Sequence, residues 1–240
     1  MRPAHANAGA QVRRRRLGTM WRGLLALLVS LHAGVAQGEE ASAQPTAVPG
    51  WVRVDMDNYG MQVWFGATHR WRGLDIVSDV YLVDTNAEID IGAAWTVGES
   101  LTLLGVVGPT FDFSTTDYIG TVFEMDAYLT AGPWYLESWD GAYLAVEAKD
   151  TYGPSYLYTR TFLLRSLNDV LAVGPHAELA LSLEDADGHS RLTSLALGGA
   201  GQVAYGDSNT LLVFLGYETR EATKGGGAGI AGRVTFLREW

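Results

Sequence analysis

Cysteine is absent from all 240 residues. That excludes disulfides, cysteine-based metal sites and a lipid anchor on a mature N-terminal cysteine. Basic residues are scarce once the first 36 positions are set aside. Six of the 17 lie there, with none of the 27 acids, so the remainder holds eleven basic residues and a formal charge of −16. Phosphate backbones need a basic surface, so nucleic acid is excluded as a partner. Disorder is excluded as well, because apolar residues make up 48% and Trp and Tyr are plentiful. No apolar run reaches the roughly 20 residues of a transmembrane helix.

The first segment is a targeting element. Arg2, Arg13 to Arg16 and Arg22 form a positive head, Leu24 to Leu31 an apolar middle, and Ala33-Gly34-Val35-Ala36 a small-residue tail. This order predicts a secretory signal peptide over 1–36, cleaved after Ala36, with Met20 as an alternative start. Residues 37–50 are small, polar and proline-bearing and read as a flexible leader.

From Trp51 onward the recurring period is two, the period of strands. Ala87, Ile89, Ile91, Ala93, Trp95 and Val97 alternate with Glu88, Asp90, Gly92, Ala94 and Thr96. The same alternation runs through Leu101–Ser114, Leu171–Leu183, Leu211–Arg220 and Ile230–Trp240. Predicted strands are 51–57, 60–71, 74–83, 87–97, 101–114, 120–131, 134–149, 155–166, 170–183, 192–205, 210–220 and 228–240. In 134–149, Ser138 and Asp140 break the apolar face, which leaves a bulge or a short surface helix open there.

Several runs are 11 to 14 residues long. Soluble strands average about five or six residues, whereas strands crossing an outer membrane need about 9–11. Short links near 71–73, 98–100, 167–169 and 206–209 alternate with longer ones at 115–120, 150–155, 184–191 and 221–227. Together these predict an all-β fold: one closed antiparallel transmembrane β-barrel over 51–240, with twelve strands and ten as the alternative count.

The last residue is Trp240, with Val234 and Phe236 on the same face. A final strand ending in an aromatic residue resembles the terminal signal of bacterial outer-membrane β-barrel proteins. The resemblance covers the signal peptide, the alternating body and this strand. It is class-level, and no motif selects a subfamily. It implies an outer-membrane location and recognition of the C-terminal strand by the barrel assembly machinery.

A bilayer cannot hydrogen-bond a bare backbone, so a sheet inside it must close. The apolar faces then meet the lipid bilayer, with aromatics gathered at its two interfaces. Candidates for those girdles are Trp95, Trp134, Tyr205, Tyr217 and Trp240, with Trp51, Trp64, Trp71 and Tyr135 beside them. The polar faces give a candidate lumen of Glu88, Asp90, Asp112, Glu124, Asp126, Tyr128, Tyr143, Glu147, Arg160, His176, Glu178, Glu218, Arg220 and Arg233, with Lys149 and Glu239. Excess carboxylate predicts cation preference along any open path. The competing reading is a barrel blocked by ion pairs.

Catalytic and cofactor chemistry is thinly represented. The mature chain has three histidines, His69, His176 and His189. His176 and Glu178 share a face as base and orienter, but no serine is placed by sequence to join them. Glu184 to His189 lacks the third acid and distal Glu of a calcium loop. Lys224-Gly225-Gly226-Gly227 lacks the spacing of a phosphate loop. No catalytic residue, metal or cofactor is expected. Three functions follow: a narrow porin-like channel for small solutes, a closed structural or interaction barrel, and a membrane hydrolase of lipid or lipopolysaccharide.

Overall fold

A computed structural model of the chain describes residues 48–57, 60–146, 155–183, 191–220 and 228–240. The signal segment and residues 37–47 lie outside the described residues, as do Glu147, Lys149, His189, the 184–190 and 221–227 links, and the side chain of Arg220.

Twelve strands occur among the described residues: β1 Gly50–Asp57, β2 Gly60–Trp71, β3 Leu74–Val83, β4 Asn86–Val97, β5 Leu101–Asp112, β6 Asp117–Ala131, β7 Trp134–Ala145, β8 Tyr156–Ser166, β9 Leu171–Ser182, β10 Arg191–Tyr205, β11 Asn209–Arg220 and β12 Gly229–Glu239. Each pairs antiparallel with its sequence neighbours, and β1 pairs with β12, so the sheet closes into a barrel. Closure removes the unpaired edge that an open sheet leaves. The seam is continued by Gly50 and Trp240, which exchange both backbone hydrogen bonds at 3.0 Å.

Strand ends follow local chemistry. β5 stops at Asp112, two residues short of the predicted end. The Asp112 carboxylate accepts from the Ser114 N–H and hydroxyl, both at 2.7 Å, which curls the chain into a turn. Arg72 and Gly73, with φ of 50° and 87°, form a two-residue link between β2 and β3. Positive φ at both positions matches the twist of a tight hairpin. Segment β7 is a regular strand with no helix, because Ser138 and Asp140 sit on its outer face and leave the inner alternation of Tyr135, Glu137 and Trp139 intact.

The register fixes which side chains share a face. Val52, Val54, Phe65, Ile91, Val107, Phe123, Leu163, Val173, Leu197, Val213 and Phe236 point outward, all around the perimeter. Leu215 and Ile230 are 65% and 78% exposed. Apolar patches on soluble monomers rarely exceed a few hundred Å². A belt that encircles the whole molecule is suited to acyl chains.

Interior volume is set by small residues. Gly198 and Gly216 are register partners on β10 and β11, and a Cβ at Gly198 would stand 2.2 Å from the Leu215 carbonyl oxygen. No other residue fits so close an approach. Beside them Ala196, Phe214 and Ala231 pack together inside the wall, and Phe162, Leu164, Ala200 and Leu212 form a second inner cluster.

Candidate channel interior

The inner face carries two unlike walls. On the first, β1, β8 and β12 present Arg53, Arg160 and Arg233. Arg53 donates to Asp55 at 3.1 Å and to Glu137 at 3.2 Å. Arg160 donates to Asp55 at 2.8 Å and stands 3.8 Å from Glu178. Arg233 donates to Asp57 at 3.0 Å and to both oxygens of Glu178. Thr235 adds a 2.5 Å hydrogen bond to Asp55, which is fully buried. Three guanidiniums are thus shared among four carboxylates, an arrangement that lowers the desolvation cost of each charge.

Trp139 lies against this network. The Arg53 and Arg160 guanidinium carbons sit 4.1 and 4.7 Å from its ring centroid. Trp64 meets it edge-on at 5.4 Å and stacks on Tyr81 at 4.2 Å. The quadrupole of an indole face attracts cations, so these contacts hold the rings and guanidiniums in one layer.

The second wall is acidic. Asp79 on β3, Glu88 and Asp90 on β4, and Glu124 and Asp126 on β6 face inward. Among the described residues none of the five is in a salt bridge with a basic side chain. Tyrosines serve two of them: Tyr128 donates to Asp126 at 3.0 Å and Tyr158 donates to Glu124.

Two cavities stand out in the interior. One, of about 360 Å³, is lined by Asp57, Tyr156, Tyr158, Arg160 and Arg233 toward the long-link end. The other, of about 400 Å³, is lined by Trp51, Arg53, Asp79, Asp126 and Glu137 toward the chain termini. Trp64, Glu88, Glu124 and Trp139 line both. The buried Nε1 of Trp139, Nη2 of Arg53 and Oδ1 atoms of Asp90 and Asp126 have no hydrogen-bond partner among the described residues. Buried polar atoms of this kind are normally satisfied by water.

The barrel brings Glu88, Asp90, Glu124, Asp126, Tyr128, Arg160, His176, Glu178 and Arg233 to the inner face. Tyr143 is also inside but donates its hydroxyl to the Ile119 carbonyl at 2.9 Å, bracing the β6 wall. Glu218 accepts from Ser194 at 2.8 Å. Asp112 stands at the rim, where it caps the 113–116 turn rather than lining the lumen. Trp95, Trp134, Tyr205, Tyr217 and Trp240 lie outward and exposed, whereas Trp51, Trp64 and Tyr135 face inward and leave the girdle set. Their strands carry charge on the same face, Arg53 and Asp55 beside Trp51 and Glu137 beside Tyr135, and that shared parity was the available signal.

Arg53, Asp55, Asp57, Asp79, Glu137 and Trp139 were not singled out from sequence. Arg53, Asp55 and Asp57 alternate with Val52, Val54 and Met56, a period-two signal in a strand only eight residues long. His176 bonds Glu178 at 2.7 Å, yet its ring is packed against Phe162 and Phe214, and its Nδ1 has no partner among the described residues. Among the described residues no hydrogen bond from a serine hydroxyl to His176 is present.

No protein-family model and no curated protein sequence matches the chain. Solved structures do. The NanC porin aligns over 80% of this chain and 98% of its own, with TM-score 0.51 and 9% identity. An outer membrane channel from Pseudomonas putida F1 aligns over 85% of this chain and all of its own, with TM-score 0.54 and 8% identity. The OccK5 protein of Pseudomonas aeruginosa aligns over 82% of this chain and 68% of its own, with TM-score 0.50 and 8% identity. At such identities the likeness is one of fold, and that fold is the closed antiparallel β-barrel of bacterial outer-membrane porins.

Proposed function

We propose that the protein is a narrow outer-membrane channel for small polar solutes, with a preference for cations. One observation carries this reading: two cavities inside the barrel, each with charged side chains in its lining, share Trp64, Glu88, Glu124 and Trp139. A barrel built only for support would fill this space with side chains. The route runs past a layer where guanidiniums brace two indoles, and solutes cross beside the acidic wall.

Cation preference follows from how the charges are shared. The three arginines of the first wall are spoken for by Asp55, Asp57, Glu137 and Glu178. The five acids opposite have no such neutralisation among the described residues, so mobile cations are the charges that gather there. The chain reaches this location through its cleaved signal over 1–36, and the barrel assembly machinery receives it by the strand ending in Trp240.

The test is the reversal potential of the reconstituted protein in planar bilayers under a salt gradient. Cation-selective steps are expected, with selectivity reduced by the Glu124→Gln/Asp126→Asn double variant. Folded protein that conducts no ions overturns the channel reading. It would instead favour a closed interaction barrel, in which the layer of Arg53, Asp55, Trp139 and Arg160 is a permanent plug.

A further inference from the structure

The lipid-facing belt has one charged interruption. Among the described residues, Asp140 on β7 is the one acidic or basic side chain that points outward away from the strand ends. It is the seventh of the twelve residues of Trp134–Ala145. At about 3.3 Å per residue and a tilt near 40°, that places it roughly 15 Å in from the Trp134 interface. An apolar band is about 25 Å tall, so the carboxylate sits near its middle.

Asp140 is not alone. Ser138 donates to it at 2.9 Å, and the Ser138 hydroxyl also lies 2.8 Å from that of Thr161. Thr159 is its register partner on β8. Ser138, Asp140, Thr159 and Thr161 therefore form one polar patch across two strands. Ala127 on β6 and Ala142 on β7 flank it and let another surface approach closely. Every neighbouring stretch of the belt is apolar. A carboxylate at this depth facing lipid is costly, and intramembrane ionisable groups normally face protein or water.

We infer that this patch is a contact surface for a second copy of the same chain. Depth is the first reason. Copies inserted in the same direction carry the patch at the same height, so polar groups meet without any further adjustment. Hydrogen-bond complementarity is the second. A twofold axis normal to the membrane and running between Asp140 and Thr159 sets each carboxylate opposite the other copy's hydroxyl. Each copy then offers the acceptor that the other's donor needs, the self-complementary arrangement of an isologous interface. The inference rests on the membrane placement and is independent of whether the lumen conducts.

The chain has no cysteine, so single-cysteine variants are unambiguous. The folded Ala142→Cys variant in proteoliposomes, treated with a short bis-maleimide, should give an adduct of twice the chain mass. The Val54→Cys variant should not, because β1 is six strands away from β7. Adding Asp140→Leu to Ala142→Cys should weaken association by about tenfold, the loss of two hydrogen bonds between the copies. Native mass spectrometry of the unaltered protein released from bilayers gives a second reading, with a dimer expected. Cross-linking at Ala142→Cys no greater than at Val54→Cys, or a strictly monomeric native mass, overturns the proposal.

Discussion

Replacing Asp55 with alanine removes the shared acceptor of the first wall. Arg53, Arg160 and Thr235 all donate to it, and the carboxylate is completely buried. After the substitution Arg53 keeps Glu137 at 3.2 Å, while Arg160 keeps only Glu178 at 3.8 Å. Removing one member of a buried ion pair costs about 3–5 kcal/mol, since the partner's charge stays buried. The retained second partners put the expected loss at the low end, about 3 kcal/mol, or over a hundredfold in the folding constant. Arg70 and Asp75 supply the control. Their contact is shorter, at 2.6 Å, but the Arg70 side chain is 69% exposed. Water screens such a pair, so Arg70→Ala should cost about 0–1 kcal/mol. Equilibrium urea unfolding in lipid vesicles, followed by tryptophan fluorescence, measures both. If Asp55→Ala costs no more than Arg70→Ala, burial does not govern these ion pairs and the reasoning fails.

Trp139→Ala should raise single-channel conductance, because the ring lines the junction of both cavities, while Trp134→Ala on the outer face should leave it unchanged. Equal conductance in the two variants would show that the indole is not the constriction. Gly198→Val should lower or abolish the folded, heat-modifiable gel band, since its side chain would strike the backbone of β11. Overpacking costs of about 1–3 kcal/mol or more apply there. Gly199→Val, whose nearest neighbour to an added Cβ is 3.8 Å away, should fold normally, and loss of both would point to glycine content rather than to close approach.

Much of the interior was legible from alternation alone. Glu88 and Asp90 oppose Ile89 and Ile91 across the plane of β4, and a period of two leaves them no other face. Asp112 was misjudged as lumen because parity gives the face but not the height. At a strand end the same carboxylate finds Ser114 first. Ser138 and Asp140 were read as interruptions of an apolar face. Their pattern is polar on the outside of β7, which alternation marks as irregular but cannot explain without knowing what lies beyond the wall.

The order of residues determined the strands, their even number and the face each side chain takes, because these depend only on neighbours one or two positions apart. Asp55 and Arg160, 105 residues distant, meet only after twelve strands have closed. The division into a basic wall paired with acids and an acidic wall with no basic partner among the described residues likewise depends on which strands stand opposite across the lumen. That is a property of circumference and register, and those are fixed by hydrogen bonds between strands, not by any local pattern.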